Sequence, residues 1–517
     1  MFTRRRLLGF GLALVCLAVG CALNPVTRRP ELILVSKEQE QEMGRQAAVQ
    51  VAAEMGIVEE RKVAGYVEAV GKRLAPHSPR EDVVYTFQVV DIREPNAFAL
   101  PDGHVYVSRG LLAIANSEDE LACAIGHEMA HVAARHAAQR QTRAVGVGLL
   151  ALPGALVGAA VGRPVGQLLG APVLLLGGGM LAAYSRDQER EADRVGQEMA
   201  AEAGFDPRGL ADFLDGLEVA IRATGEKSRR PTFFDTHPRV PERAAKAREH
   251  AGSLEWEHRA GIAGGHAGFL ERIEGLLVGQ NPAEGVFQGQ RFLHPDLDFA
   301  MTFPDGWKAV NARDGVGALS EQRDAQIALE IQGRGSDPAR AGQVFLDELS
   351  RQITLEVVQA APLSIGELPA FRADAVATAR RGPVPLEFTW IAHRGTIFRV
   401  SAASASAPFP AYQPVFRKVA GSFRPLRDEE RSSIHEKRLR VVPARGGETL
   451  AELAERTGNS WELKQLAAAN GLSERSRLES GQLVKIAVSR VYRARRGGPG
   501  SVALAAVDRI EEGLAPL

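Results

Sequence analysis

The 517-residue chain is poor in cysteine and in aromatic side chains, and its charges cancel. It has three cysteines, aromatic residues make up 6% of it, and its formal net charge is zero. No basic patch is interleaved with aromatic residues, so the pattern typical of a nucleic-acid-binding surface is excluded. The hydrophobic fraction of 45% is sufficient for well-packed cores, and the length predicts about three domains.

The N-terminus has the pattern of an export signal. A run of three arginines, 4–6, precedes the apolar residues 7–19, and Gly20-Cys21 follows. Because this ending resembles a bacterial lipobox, we expect Cys21 to be the lipid-modified first residue of the mature chain. An uncleaved membrane anchor is the alternative, since the apolar run is near the lower limit for a bilayer span.

This signal predicts a lipid-anchored protein on the periplasmic face of a bacterial cell envelope. Alanine rather than aspartate at position 22 favours the outer membrane. The general secretory and twin-arginine export routes both stay open. In a mature chain that begins at Cys21, Cys123 is the sole unmodified cysteine, so the sequence predicts no intramolecular disulfide.

The most informative motif is H-E-x-x-H, formed by His127, Glu128 and His131. On a helix, residues four apart lie on one face, so two neutral imidazoles there can hold one Zn²⁺ with room for a water molecule. Glu128 is placed to take a proton from that water. A capping box of Ser117 and Glu120 predicts where the helix begins.

A third metal ligand is needed, and the segment 185–193 offers candidates. Glu189 and Asp193 are four residues apart on a predicted helix, so they share a face. Glu189 would complete a His₂Glu site, and Asp193 would accept a hydrogen bond from a ligand histidine. Spacing alone does not choose Glu189 over Glu191, and a solvated charged helix is the alternative.

These motifs resemble the zinc metallopeptidase family of the CAAX prenyl endopeptidase and HtpX type. Besides H-E-M-A-H and S-R-D-Q-E-R-E-A-D-R, the shared segments are 96–103, 105–107, 110–112, 236–238 and Arg243. The resemblance covers about residues 35–255. It implies a mainly helical gluzincin-type domain with a small edge-stranded sheet, one Zn²⁺ per chain, and Glu189 as the third ligand.

The resemblance also suggests roles near the metal. Glu128 is expected to act as general base, and His237 or Arg186 to help stabilise the oxyanion. In the periplasmic BepA-like branch, a histidine in this loop can occupy the open metal position and keep the enzyme latent, and His237 stands at that place. Alternatively, the segment 236–238 only ends a loop and caps the next helix.

Two further segments bear on substrate and membrane contact. Val105, Tyr106 and Val107 are predicted to form an edge strand beside the cleft, to which an extended substrate would add. The runs 144–162 and 164–185 are rich in glycine, alanine and leucine, and each is long enough to span a bilayer. Because prolines interrupt them, we predict a pair of apolar helices near the active site or the membrane surface.

The sequence predicts an α+β multidomain chain. Residues 291–426 are expected to form an α+β sandwich that weakly resembles the PsbP/Mog1-like fold. The C-terminal β-α-α-β pattern resembles a LysM module, which implies peptidoglycan binding or a structural cap. The predicted boundaries are 1–20 (signal), 21–38 (linker), 39–255 (metallopeptidase), 256–290 (connecting helix), 291–426 (sandwich), 427–438 (charged linker), 439–488 (LysM-like module) and 489–517 (tail).

The leading functional hypothesis is a zinc endopeptidase that hydrolyses unfolded or misassembled envelope proteins. Its expected partners are unfolded or outer-membrane protein substrates, the membrane through the lipid anchor, and peptidoglycan, but no nucleic acid. A chaperone or assembly factor for outer-membrane proteins with a latent zinc site is one alternative. A peptidoglycan-binding scaffold is another.

Overall fold

The computed structural model describes residues 21–151, 183–224, 233–237, 242–313, 315–379, 382–405 and 407–494. They fall into two compact units: the first combines the N-terminal part through residue 279 with residues 437–489, and the second is built around residues 280–436. Both units mix helices with β-sheet. The sequence predicted an α+β multidomain chain, and the structure confirms a mixed α/β multidomain architecture.

The first unit is mainly helical. Its elements before residue 280 are β1 (Cys21–Leu23), β2 (Pro30–Leu32), α1 (Lys37–Glu54), α2 (Arg61–Leu74), β3 (Thr86–Val90), β4 (Ala97–Ala99), β5 (His104–Ser108), α3 (Arg109–Ile114), α4 (Glu118–Ala133), α5 (His136–Ala151), α6 (Arg186–Glu202), α7 (Gly209–Thr224), α8 (Phe233–Thr236), α9 (Arg243–Ser253) and α10 (His266–Ile273). β1 and β2 pair as an antiparallel hairpin inside the segment predicted as a linker.

The three-stranded sheet of the first unit has the order β3-β5-β4. The prediction that Val105, Tyr106 and Val107 form an edge strand is wrong, because β5 is the central strand. It pairs in parallel with β3 and antiparallel with β4, and these three side chains are buried. The edge strand on this side of the sheet is instead β4, which pairs with β5 and precedes it in the chain.

In its described residues, the second unit contains a seven-stranded antiparallel sheet, a four-stranded sheet and three α-helices. Its elements are β6 (Val286–Gln288), β7 (Arg291–His294), β8 (Phe299–Thr302), β9 (Lys308–Ala312), β10 (Gly315–Leu319), β11 (Ala325–Arg334), α11 (Pro338–Gln352), β12 (Leu355–Ile365), β13 (Leu368–Ala379), β14 (Gly382–His393), β15 (Thr396–Ser404), α12 (Phe409–Gly421), β16 (Arg424–Pro425) and α13 (Asp428–Ser433). The sheet orders are β12-β13-β14-β15-β11-β10-β9 and β16-β8-β7-β6.

The C-terminal segment has the predicted β-α-α-β order. Its elements are β17 (His435–Pro443), α14 (Leu450–Thr457), α15 (Leu463–Ala469) and β18 (Leu483–Val491). The prediction of a charged linker at 427–438 is wrong for most of its length, because α13 and the start of β17 lie there. The charges mislead because Glu430 is buried and ion-paired with Arg424 and Arg291.

The C-terminal module packs into the first unit. Leu439 and Ala487 belong to the same buried cluster as the residues of α4. The Leu439 N–H donates to the Leu276 carbonyl at 2.8 Å, which joins β17 to the segment after α10. Lys485 of β18 is fully buried, and its Nζ donates to the carbonyls of Ala113 at 3.1 Å and Ala115 at 2.6 Å.

We expect Lys485→Met to destabilise this packing. The substitution leaves two buried carbonyl oxygens without their donor, which costs about 1–3 kcal/mol for each unsatisfied group. Urea unfolding of the full-length chain measures the loss. Lys464→Met, which alters an exposed lysine of the same module, is the matched control and should change the free energy of unfolding by less than about 0.5 kcal/mol. Equal stabilities of the two variants would contradict the prediction.

The apolar region that was predicted to touch the membrane is largely outside the described residues. Helix α5 runs to Ala151, and residues 152–182 are not described. Among the helices that are described, none has both the length and the apolar character of a membrane span. The predicted pair of apolar helices therefore stays a prediction.

Candidate metal centre

The site is built where α4 crosses α6. Two glycines face each other at the crossing: a Cβ at Gly126 would lie 2.8 Å from the Gly196 carbonyl oxygen, and a Cβ at Gly196 would lie 2.6 Å from the His127 nitrogen. Only glycine allows the two backbones to approach this closely. The crossing therefore brings His127, on α4, against the carboxylates of α6.

Helix α4 begins where the sequence predicted, but the predicted capping box of Ser117 and Glu120 forms only in part. On α4, Ser117 accepts a hydrogen bond from the Glu120 N–H at 3.1 Å, although the Glu120 carboxylate accepts from Asn116 rather than from Ser117. On α6, Ser185 and Gln188 form a complete capping box. These caps satisfy backbone donors in the first turn of each helix, which fixes where the helices start.

Four potential ligand atoms converge between these helices and the segment after α8. They belong to His127, His131, Glu189 and His237, all buried, and lie within 4.8 Å of one another. The two histidines of the motif approach through their Nε2 atoms, 3.1 Å apart. His237 contributes Nδ1, which lies 3.2 Å from His127 Nε2 and 3.0 Å from Glu189 Oε1.

The spacing of these atoms fits a tetrahedral zinc ion. Zinc bonds of about 2.0–2.1 Å to nitrogen and oxygen place neighbouring ligand atoms roughly 3.3–3.4 Å apart. The remaining distances are 3.4 Å, from His131 Nε2 to Glu189 Oε1, and 3.8 Å, from His127 Nε2 to Glu189 Oε2, so the distances lie on both sides of this value. Three imidazoles and one carboxylate are also donors that zinc prefers, so the residues present fit the ion.

Asp193 and Arg243 support the ligands from behind. Asp193 Oδ1 lies 3.0 Å from His127 Nδ1, the nitrogen turned away from the other ligand atoms. The Arg243 guanidinium donates to both oxygens of Asp193 and lies 2.7 Å from Glu189 Oε2. Burial opposes ionisation of Asp193, but Arg243 and His127 outweigh it and lower the pKa of the carboxyl. The structure thus places Asp193 where the sequence predicted.

Glu128 lies beside the four ligand atoms rather than among them. Its Oε1 is 3.3 Å from His237 Nε2, and burial raises the pKa of this carboxyl. For His237, burial disfavours the charged imidazole, yet Glu189 and Glu128 outweigh it and raise the pKa. His237 therefore bridges the ligand cluster and the predicted general base.

The segment that carries His237 also contacts Pro95, two residues before the edge strand β4. The Phe233 ring stacks on the His237 ring, with centroids 4.2 Å apart, and the Phe233 N–H donates to the Pro95 carbonyl at 3.1 Å. Strand β4 begins two residues after Pro95. Its register with β5 means that the backbone groups of Phe98 point toward β5, whereas those of Ala97 and Ala99 point away from it. The start of β4 therefore lies close to the segment that carries His237.

Sequence reasoning missed two aromatic neighbours of His131. The Tyr184 ring stacks on the His131 ring with centroids 3.8 Å apart. His136 Nδ1 lies 2.8 Å from His131 Nδ1. The signal for His136 is weak, because it is five residues from His131 and reaches it only through a turn at Arg135, whose φ is +58°. Arg186 is exposed in the first turn of α6, so its predicted role at the oxyanion stays a prediction.

Buried histidine and glutamate side chains that could hold a metal ion, with a second glutamate beside them on the H-E-x-x-H helix, are the arrangement typical of a metallopeptidase site. Residues 61–251 match the family described as Peptidase family M48. The match spans α2 to α9 and therefore includes all the ligand residues described above. The predicted family resemblance is confirmed.

Part of the chain is also similar to three curated proteins. The chain is 32% identical over 230 residues to the mitochondrial metalloendopeptidase OMA1 of Schizosaccharomyces pombe, covering 44% of this chain and 65% of that protein. It is 29% identical over 222 residues to the beta-barrel assembly-enhancing protease of Escherichia coli, covering 42% of this chain and 44% of that protein. It is 32% identical over 164 residues to the metalloprotease LoiP of Escherichia coli, covering 32% of this chain and 61% of that protein. The matches thus span less than two thirds of each relative.

Solved structures also resemble part of the chain. The cyanobacterial PsbP of Synechocystis matches 29% of this chain and 98% of its own, with 16% identity and a TM-score of 0.24. The Ran-binding protein Mog1p of Saccharomyces cerevisiae matches 25% and 90%, with 12% identity and a TM-score of 0.21. At these scores, the fold of the second unit rests on its own strands and helices.

Proposed function

We propose that this protein is a zinc-dependent endopeptidase that hydrolyses unfolded or misassembled cell-envelope proteins. The observation that carries the proposal is the convergence of His127, His131 and Glu189, with the Glu128 carboxylate beside them. In this proposal, Cys21 carries the lipid that holds the enzyme at the periplasmic face of the outer membrane. The peptidase relatives support the reaction class.

The mechanism follows from the placement of these residues. His127, His131 and Glu189 would hold a zinc ion, which would supply Lewis-acid chemistry at the scissile carbonyl and would lower the pKa of a water molecule. Glu128 takes the proton from the attacking water and later delivers it to the leaving amine. Because burial raises its pKa, the Glu128 carboxyl exchanges protons more readily near neutral pH. Arg243 lowers the pKa of Asp193 and also lies 2.7 Å from Glu189 Oε2, so it holds both carboxylates in place.

The substrate preference follows from the edge strand. A peptide that pairs with β4 does so through main-chain hydrogen bonds, which are available from any sequence in an extended conformation. Folded proteins rarely present such a segment, whereas an unassembled β-barrel protein exposes many. One of the relatives is named as a beta-barrel assembly-enhancing protease, which supports a substrate of this kind.

A comparison of one β-barrel protein in two states tests this preference. We expect the zinc-loaded full-length chain to cleave the urea-unfolded, freshly diluted form, and to leave the detergent-folded form intact, as gel electrophoresis would show. Casein serves as an unrelated unfolded substrate and should also be cut. Equal cleavage of the folded and unfolded barrel would contradict the proposal.

A chaperone or assembly factor with a latent metal site is the second candidate. It is favoured by His237, whose Nδ1 takes the fourth position among the ligand atoms and whose Nε2 faces Glu128. With His237 in place, a substrate carbonyl and a water molecule have no free position there. In this alternative, the chain holds clients on β4 without cutting them.

The C-terminal module stays a predicted peptidoglycan-binding unit. Its packing changes how that prediction can be tested. Deleting residues 437–517 would remove Leu439 and Ala487 from the core that contains α4, so the deletion would disturb the peptidase domain as well. Point substitutions on the exposed loops of the module are therefore the appropriate test, with binding to purified peptidoglycan as the readout.

A further inference from the structure

The N-terminal hairpin is connected to the metal centre by a chain of polar side chains. His131 contacts His136, and His136 Nε2 lies 3.3 Å from Glu191 Oε2. The other oxygen of Glu191 lies 3.4 Å from Nδ2 of Asn24, which directly follows β1. The path thus joins a ligand on α4 to the hairpin of β1 and β2, which begins at Cys21.

The chemistry of the two histidines sets the direction of each hydrogen bond. A neutral His131 that binds metal through Nε2 carries its proton on Nδ1, so it donates to His136 Nδ1. His136 must then carry its own proton on Nε2, which requires an acceptor. Glu191 supplies that acceptor. Because His136 is fully buried, water does not easily replace the carboxylate.

The side chain of Asn24 is held by hydrogen bonds within the hairpin, and its amide nitrogen points toward Glu191. Its side-chain oxygen accepts from the backbone N–H groups of Val26 and Thr27, at 2.9 and 3.3 Å, which fixes the side-chain orientation. This leaves Nδ2 to donate toward Glu31 and Glu191. Asn24 is fully buried, so the docked hairpin holds the donor in place.

The chain after the hairpin is fastened to the same helices. The Leu34 N–H donates to Oγ1 of Thr142, on α5, at 2.9 Å. The Arg135 guanidinium donates to the Val35 carbonyl at 2.9 Å. Arg135 is also the residue whose left-handed backbone conformation turns the chain between α4 and α5. The N-terminal segment therefore docks where His131 and His136 are brought together.

We propose that Asn24, Glu191 and His136 position His131, so that undocking of the N-terminal hairpin weakens metal binding. The proposal rests on the metal site of the proposed function and extends it to regulation. His127 contacts a carboxylate directly, that of Asp193. His131 instead depends on the series of contacts through His136, Glu191 and Asn24, which we call the relay. The metal affinity of the site consequently depends on the segment that adjoins the predicted lipid anchor.

Zinc affinity of the purified full-length chain, measured by competition with a chromophoric chelator, tests the positioning role. Glu191→Ala removes the acceptor of His136 and should weaken zinc binding about 10-fold or more. Glu191→Gln retains an acceptor oxygen and should recover part of that loss. The matched control is Glu198→Ala, on the same helix, whose carboxylate pairs with Arg194. It should leave the zinc affinity unchanged.

A double-mutant cycle tests the connection to the hairpin. Asn24→Asp keeps the side-chain oxygen that accepts from Val26 and Thr27, but it replaces the donor with a group that repels Glu191. We expect it to weaken zinc binding severalfold in the wild-type background and to have no effect in the Glu191→Ala background, because coupled sites are not additive. Equal effects in both backgrounds would overturn the role of the hairpin.

The outcomes separate this proposal from the metal site itself. If the wild-type chain binds zinc and Glu191→Ala binds it equally well, the relay is overturned and the metallopeptidase proposal stands. If the wild-type chain binds no zinc, both are overturned. A loss of zinc affinity in Glu191→Ala that Glu191→Gln does not reduce would also contradict the relay, because it would indicate a packing effect of the helix.

Discussion

Glu128→Gln is expected to reduce kcat roughly 10²–10⁴-fold, the usual contribution of a general acid or base. Glutamine has nearly the same shape as glutamate, but it cannot take a proton from water or deliver one to the leaving amine. Glu128 is not among the four ligand residues, so the variant should still bind zinc. Cleavage of casein and the zinc content of the same preparation measure the two effects.

The matched control for this substitution is Glu198→Gln on α6. Glu198 is half-buried and pairs with Arg194, outside the cluster, so its variant should cleave casein at the wild-type rate. Zinc-loaded Glu128→Gln that cleaves as fast as the wild type would contradict the assignment of Glu128 as the general base. Loss of zinc from this variant would instead indicate that the carboxylate helps to hold the metal.

His237→Ala is expected to increase cleavage. The imidazole stands in the fourth position among the ligand atoms and contacts Glu128, so its removal frees both groups for water and substrate. If the open arrangement is populated at about 1–10% in the wild type, the variant should be on the order of 10–100 times faster at low substrate concentration. Initial rates on casein at equal zinc loading measure the change.

The same experiment distinguishes the two predicted roles of His237. A histidine that only blocks the site raises the rate when it is removed, whereas an oxyanion-stabilising histidine lowers kcat when it is removed. His266→Ala, which alters an exposed histidine of α10, is the control and should match the wild type. A lower kcat for His237→Ala would contradict latency and support a part in catalysis.

The metal ligands could be predicted because their signals are local. The spacing of His127 and His131, and of Glu189 and Asp193, follows from the helical repeat alone, and the cap at Ser117 marks the start of α4. The choice of Glu189 over Glu191 needed the family resemblance. The structure gives the physical reason, because Glu189 is buried among the histidines while Glu191 holds His136.

Other features could not be predicted because they depend on distant contacts. The order β3-β5-β4 is set by how three separate segments pair, and β5 alternates in the same way whether it lies at the edge or in the centre. His136 reaches His131 only because Arg135 adopts a left-handed conformation. The burial of Lys485 against α3 joins residues about 370 positions apart, which no local pattern indicates.

The most direct test of the metallopeptidase site is the zinc content of the purified chain, measured together with casein cleavage before and after metal removal. We expect one zinc ion per chain, loss of both zinc and cleavage on treatment with a strong chelator, and return of both when one equivalent of zinc is added. Cleavage that persists in the metal-free chain, or a chain that binds no zinc, would contradict the assignment of His127, His131 and Glu189 as the ligands of a catalytic metal ion.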